Sequence, residues 1–142
     1  MSVKWENAKK RLTEEEIIQV QNKIGYVFPS DFSSHVLQYN GARPTKYFLD
    51  FGNYKKRVFG TLLNLDLNEK WNLVKAYHTI YDDDDDGIPQ GFVPFADDPA
   101  GNLFCFDFTQ NEQNPSIIFF DHEEPEWEYV CNNFTELQAK FY

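Results

Sequence analysis

Cysteine is scarce in this chain of 142 residues: Cys105 and Cys131 are the two, both in apolar, strand-like stretches, and no CxxC pair occurs. That scarcity excludes a disulfide scaffold and favours free, buried thiols in a reducing compartment. The three histidines, His35, His78 and His122, lie far apart without HExxH or another close ligand spacing, so no metal site is expected. GxSxG, Walker and GxGxxG signatures are missing, which removes the common nucleophile and nucleotide chemistries. No run approaches the roughly 18 consecutive apolar residues that span a bilayer. Residues 1–11 are polar and charged and do not read as a leader, so a cytoplasmic location is expected. Basic residues nearly vanish after residue 81: residues 82–142 hold one, Lys140, against 15 acidic ones.

Aromatic residues, by contrast, are abundant. There are 14 Phe, 8 Tyr and 3 Trp, and apolar residues reach 42%, so the chain has material for a core without a staple. One domain over residues 1–142 is expected at this length. The net charge of −10 divides unevenly: residues 1–81 carry 12 basic and 8 acidic groups, a net of +4, whereas residues 82–142 carry −14. Such a field repels phosphate backbones and anionic membranes and attracts basic partners, accelerating encounter more than it tightens binding. The cluster Lys55, Lys56, Arg57 is a local exception.

Thr13 followed by Glu16 has capping-box form, and Ile17, Val20 and Ile24 follow at helical spacing, predicting a helix that ends near Gly25. Ser30-Asp31 signals a second helix, with Phe32, Val36 and Leu37 inward and a stop at Asn40-Gly41. Residues 47–51 read as a strand, and 62–67 is too short to classify. A third helix is expected over 68–81 with Trp71, Val74 and Tyr77 or His78 inward. From there the pattern becomes extended: 92–96, 102–108, 116–121 and 127–131 are short apolar or alternating runs between turn-rich loops, which predicts an antiparallel meander. Asn133, with Glu136 three residues on, starts a last helix whose Phe134, Leu137 and Phe141 cover the sheet. The fold class is α+β.

Asp82, Asp84, Asp86 and Gly87 match the first, third, fifth and sixth positions of an EF-hand loop, but Val93 stands at the twelfth, where a bidentate Glu is required, and Pro89 interrupts the loop. The run Asp82, Asp83, Asp84, Asp85, Asp86 is therefore either a solvated loop or an acidic contact surface. Asp97-Asp98 and Glu123-Glu124 pair carboxylates, yet adjacent carboxylates in turns usually stay hydrated and ionised, which is unsuited to acid–base catalysis. Of the phenylalanines around Phe104, Phe106, Phe108 and Phe119-Phe120, one set is expected to fill the core and the rest to meet a covering helix. Trp127 and Tyr129 alternate with Glu126 and Glu128; at a sheet edge this pair would form an interface anchor beside negative charge.

Taken in order, Leu12-Thr13-Glu14-Glu15-Glu16-Ile17, Gly25-Tyr26-Val27-Phe28-Pro29-Ser30-Asp31-Phe32, Asn40-Gly41, Ile88-Pro89-Gln90-Gly91-Phe92-Val93-Pro94-Phe95-Ala96, Gly101-Asn102-Leu103-Phe104-Cys105-Phe106-Asp107 and Asn133-Phe134-Thr135-Glu136-Leu137 resemble the SUKH superfamily over residues 12–141. That superfamily joins a fungal cell-wall-synthesis regulator to bacterial immunity proteins. The chain departs from its usual pattern at Phe28 (Leu), Ala42 (a second Gly) and Asn133 (Ser), all physically mild changes. The resemblance implies one α+β domain around a central sheet, no catalytic residue and no cofactor. It also implies a role in binding and neutralising a cognate toxin protein, often a nuclease. A basic cleft in such a toxin suits the −14 region, so the expected partner contacts are Asp82, Asp83, Asp84, Asp85, Asp86, Asp97, Asp98, Glu123, Glu124, Glu126, Trp127 and Glu128, in a monomer or weak dimer without direct nucleic-acid or membrane binding. The alternatives are a non-catalytic adaptor of the cell-wall-regulator type, a carboxylate hydrolase using Asp97 or Asp107, and a nucleic-acid mimic.

Overall fold

Thr13 opens the first helix as its capping pattern requires. The computed structural model describes residues 3–82, 88–124 and 126–142. Helix α1 (Glu14–Ile24) begins with Thr13 accepting from the Glu16 amide while Glu16 accepts from the Thr13 amide, and it ends at Gly25 in the left-handed region, φ 84°. Its buried residues are Ile17, Val20 and Ile24. Before it lies the two-residue strand β1 (Trp5–Glu6), which pairs antiparallel with β2 (Arg43–Pro44).

Helix α2 (Ser30–Tyr39) has Pro29 at its cap position, and Pro29 supplies no side-chain hydrogen bond. Asp31 does not serve α2 either. Its Oδ2 accepts from the Thr135 amide at 2.9 Å and the Thr135 hydroxyl at 3.0 Å, so it ties α2 to the last helix. Asn40, at the helix end, is fully buried. Its Nδ2 donates to the Lys10 carbonyl and to Asn64, and its Oδ1 accepts from the Leu65 amide at 2.8 Å. Residues 62–67 are thereby pinned as a strap: Leu62, Leu63 and Leu65 are buried, and Leu62 bridges Ala96. Between these segments β3 (Phe48–Phe51) and β4 (Tyr54–Val58) form a hairpin across Gly52-Asn53.

The third helix, α3 (Leu73–Asp82), starts later than the hydrophobic spacing predicts. Asn72 is the reason. Its Oδ1 accepts from the Lys75 amide at 3.0 Å, so it caps the helix and releases Trp71 and the residues before it into a turn. Trp71 is exposed rather than inward, and so is His78, while Val74 is buried and Tyr77 packs partly against the core.

The meander follows as expected: β5 (Phe92–Asp97), β6 (Leu103–Asp107), β7 (Ser116–Asp121) and β8 (Glu126–Cys131) pair antiparallel in that order. Helix α4 (Phe134–Lys140) is capped by Asn133, which accepts from the Glu136 amide at 2.8 Å. Both faces of this sheet are buried, to different depths. On one, Val93, Phe95, Phe104, Phe106, Ile117 and Phe119 join residues of α1, α2, α4 and the β3–β4 hairpin in the larger core. Phe32 sits at its centre, with Phe95, Phe106 and Phe134 at ring-centroid distances of 5.5, 5.1 and 5.4 Å. On the other face, Phe92, Cys105, Ile118 and Phe120 pack with Ile80 and Ile88 in a smaller core. Helix α3 contributes to both, Leu73, Val74 and Ala76 to the larger and Ile80 to the smaller. No helix among the described residues is long and apolar enough to cross a membrane.

Candidate functional site

In a four-stranded meander the first and third turns emerge at the same end, so the β5–β6 and β7–β8 turns, which carry most of the described acidic candidates, are neighbours. They are also clipped together. Asp98 accepts from the Ala100 amide (2.9 Å), the Asn102 amide (2.8 Å) and Asn102 Nδ2 (3.1 Å), shaping the β5–β6 turn from inside. Asn102 Oδ1 then accepts from the His122 amide at 3.2 Å, and the His122 ring meets the Ala100 carbonyl at 3.1 Å.

The carboxylates at this end divide into two kinds. Asp98 is 6% exposed, with Arg57 Nη2 at 3.8 Å, and Asp97 accepts from the Thr61 amide at 2.9 Å and the Thr61 hydroxyl at 3.3 Å. Burial pushes the Asp97 carboxyl above its ordinary range against those hydrogen bonds. Both side chains therefore hold the fold and offer little to a partner. Glu123 and Glu124 are exposed on the β7–β8 turn, where Asp121 accepts from the Glu123 amide at 2.9 Å, and Glu126 is exposed at the start of β8. The ion pairs among the described residues are Lys10–Glu16, Arg43–Glu6 and Arg57–Asp98, and none uses a carboxylate of this turn.

Strand β8 is an edge of the sheet. Its register pairs Trp127 with Phe120 and Tyr129 with Ile118, so both aromatics lie on the face of the smaller core. Both are about half exposed, at 43% and 51%. Trp127 nevertheless leans inward, edge-on to Phe92 at a centroid distance of 5.2 Å. Because Phe92 begins one edge strand and Trp127 lies near the start of the other, the sheet's twist brings these diagonal corners together over the small core. Glu128 pairs with Phe119 on the opposite face and lies against Gly52 of the β3–β4 hairpin, where an added Cβ would stand 2.6 Å from its carboxyl carbon. It is half-buried and does not share the surface of Trp127. Asp82 is exposed as the last residue of α3, and Asp83, Asp84, Asp85 and Asp86 lie outside the described residues. Tyr81 ties the two flanks of that run: its hydroxyl donates to the Pro89 carbonyl at 2.8 Å and accepts from the Phe92 amide at 3.0 Å.

The remaining chemistry is structural. Among the described residues no three His, Cys, Asp or Glu side chains gather as metal ligands. His35 packs against Trp5, Tyr39 and Phe134, and burial pulls it down to about 4, which keeps the ring neutral at ordinary pH. The two cysteines are free and buried, and burial pushes the Cys131 thiol up to about 12, far from a reactive thiolate. Of the basic cluster, Arg57 turns inward over the Tyr54 and Phe119 rings, each at 4.8 Å, and leaves Lys55 and Lys56 outside. The residues that sequence reasoning did not mark for this surface are Asn102 and His122, which join the two turns, and Trp71, which was expected inward and is exposed. The Asp-Asp-Pro-Ala-Gly-Asn stretch carried the signal for Asn102, since Asp98 in that pattern forms an Asx-type turn. Nothing in the local pattern marked His122.

A family model described as the SMI1 / KNR4 family (SUKH-1) matches residues 11–140, nearly the whole chain and within one residue at each end of the span over which its motifs resemble that superfamily, and the chain belongs to that family. No curated protein matches it.

Proposed function

From membership of the SMI1 / KNR4 family, we propose that this chain is an immunity protein that binds a cognate toxin, a nuclease with a basic cleft, and neutralises it by stoichiometric occlusion. The observation that carries the reading is the β7–β8 turn. There Glu123, Glu124 and Glu126 stand exposed beside the half-exposed Trp127, at the edge of a sheet whose own cationic partner, Arg57, is spent on Asp98. A nuclease must present cations to hold phosphates, and an acidic turn with an aromatic anchor is complementary to that surface. Occlusion needs no chemistry from the inhibitor, which suits buried thiols and carboxylates committed to turns. An inhibitor interface of ordinary size, about 1,600 Å² in total, can come from one face of so small a molecule. The protein acts in a reducing cytoplasm, where Cys105 and Cys131 stay free.

The test is rescue. Co-expression with a toxin gene found beside its own should restore growth, and the triple reversal Glu123→Lys, Glu124→Lys, Glu126→Lys should abolish rescue while leaving the protein folded. Failure to rescue any neighbouring toxin, or full rescue by the triple variant, would remove this reading. Recovery instead of a cell-wall enzyme or signalling protein from the native host would favour the adaptor role.

A further inference from the structure

Beside the β7–β8 turn, on the face of the smaller core, a groove of about 290 Å³ opens between α3 and the sheet. Trp71, Ile80, Ile88, Leu103, Phe120 and His122 line it. Its wall is largely apolar, and Trp71, at one side, is 53% exposed. Trp127 continues the surface, since it pairs with Phe120 across β7 and β8 and is itself 43% exposed. An open aromatic-flanked cleft is the form that interface anchor pockets take. The charge around it is unevenly placed, with the exposed Asp82 at the end of α3 and carboxylates at the β7–β8 turn. His122, in the wall, is followed directly by the exposed Glu123 and Glu124, whereas on the α3 side Lys75 lies one turn from Thr79, whose hydroxyl donates to the Lys75 carbonyl. Ile80 and Ile88, also in the wall, stand on either side of the acidic run in the chain.

We infer that this groove seats one large apolar side chain from a basic segment of the partner protein, with the segment's Lys or Arg residues laid toward Glu123, Glu124 and Glu126 and away from Lys75. The inference rests on the reading that the partner is basic and adds to it the place and chemistry of the anchor. The apolar side chain supplies affinity by filling the cleft, and the carboxylates set the direction in which the segment lies.

A synthetic dodecapeptide rich in lysine with one central leucine serves as the probe, beside a copy with serine for leucine and a copy with glutamate for lysine. The protein's three tryptophans report the site by their indole N–H signals in NMR. Trp5 is an internal control, because its Nε1 donates to Gln138 inside the fold at 3.0 Å. The expected result is that the lysine–leucine peptide shifts the Trp71 and Trp127 signals saturably and leaves Trp5 in place. The serine peptide should bind about tenfold more weakly and the glutamate peptide not at all. Thr79→Phe, at an exposed position in the groove wall, should reduce binding of the leucine peptide to that of the serine peptide while the thermal midpoint stays unchanged. Absence of a Trp71 shift, or equal binding by Thr79→Phe, overturns the inference. If Thr79→Phe binds normally while the Glu123, Glu124, Glu126 reversal does not, the acidic surface stands as a binding site and the groove falls. A dimer in sedimentation that Thr79→Phe dissociates would assign the groove to a second copy of the chain and overturn it as well.

Discussion

The two faces of the four-stranded sheet are built from the same strands and covered unequally. On one face, residues of all four helices and the β3–β4 hairpin bury Phe95, Phe104, Phe106 and Phe119 to within 1% of full burial. On the other, Ile80 and Ile88 cover part of the surface, and Trp127 and Tyr129 remain about half exposed. The first face fixes the fold. Among the described residues the second buries Phe92, Cys105, Ile118 and Phe120 and leaves the two aromatics of β8 in contact with water.

The largest test of this contrast is a pair of truncations read by chemical denaturation. Phe106→Ala should cost about 4 kcal/mol because it opens a cavity among Phe28, Phe32 and Phe95, whereas Trp127→Ala should cost about 1 to 2 kcal/mol because half of that ring is already in water. Equal costs would make the second face a structural core like the first.

Next in size is the division among the carboxylates. Asp98→Ala leaves the amides of Ala100 and Asn102 without their acceptor and should cost about 2 to 3 kcal/mol. The same change at Glu123 or Glu124, both exposed, should stay within about 0.5 kcal/mol. A destabilising Glu124→Ala would erase the distinction between fold-holding and outward acids.

The acid limb of stability belongs to the first face. His35 has its folded value pulled from 6.5 to about 4, so between those limits the unfolded chain binds more protons than the folded one. Stability should therefore be fully present above pH 6.5 and decline as pH falls toward 4, by about 1 to 2 kcal/mol once the ring's partial exposure is discounted. His35→Phe should flatten that part of the profile of thermal midpoint against pH. Asp97 acts in the opposite sense: its raised carboxyl favours the fold on the acid side and loses that contribution as pH rises through its folded value, a smaller opposing slope that Asp97→Asn would remove.

The smallest effect on stability and the largest on recognition fall on the same residues. Removing the charges of Glu123, Glu124 and Glu126 together should leave the thermal midpoint nearly unchanged. It should slow association with the partner and flatten its dependence on salt, as stopped-flow mixing at two ionic strengths would show.

Much of the architecture was legible because its signals are local. Thr13 with Glu16, Gly25 and Asn133 with Glu136 act within one helical turn, and the meander announced itself by short apolar runs between turn residues. The start of α3 was misplaced because a cap by Asn72 competes with a hydrophobic spacing that continues past it to Trp71. Strand β4 was hidden by Lys55, Lys56 and Arg57, a charge run that reads as solvent until Arg57 is seen folded over two rings. Of the candidate contacts, Glu123, Glu124, Glu126 and Trp127 are brought together, Asp97 and Asp98 are turned inward, and Glu128 is carried to the other face.

By itself, the order of residues determined the caps of α1 and α4, the succession of strands in the meander, the α+β class and the partition of charge into a slightly basic first part and a strongly acidic second part. Caps, turns, alternation and formal charge are all properties of a few neighbouring residues. Which acids face water was decided only when the chain closed. Thr61 approaches Asp97 from 36 positions away, Arg57 reaches Asp98 from another hairpin, and His122 meets Asn102 from 20 positions along the chain. A carboxylate is ionised and available, or buried and bound, according to such distant partners, and no local pattern records them.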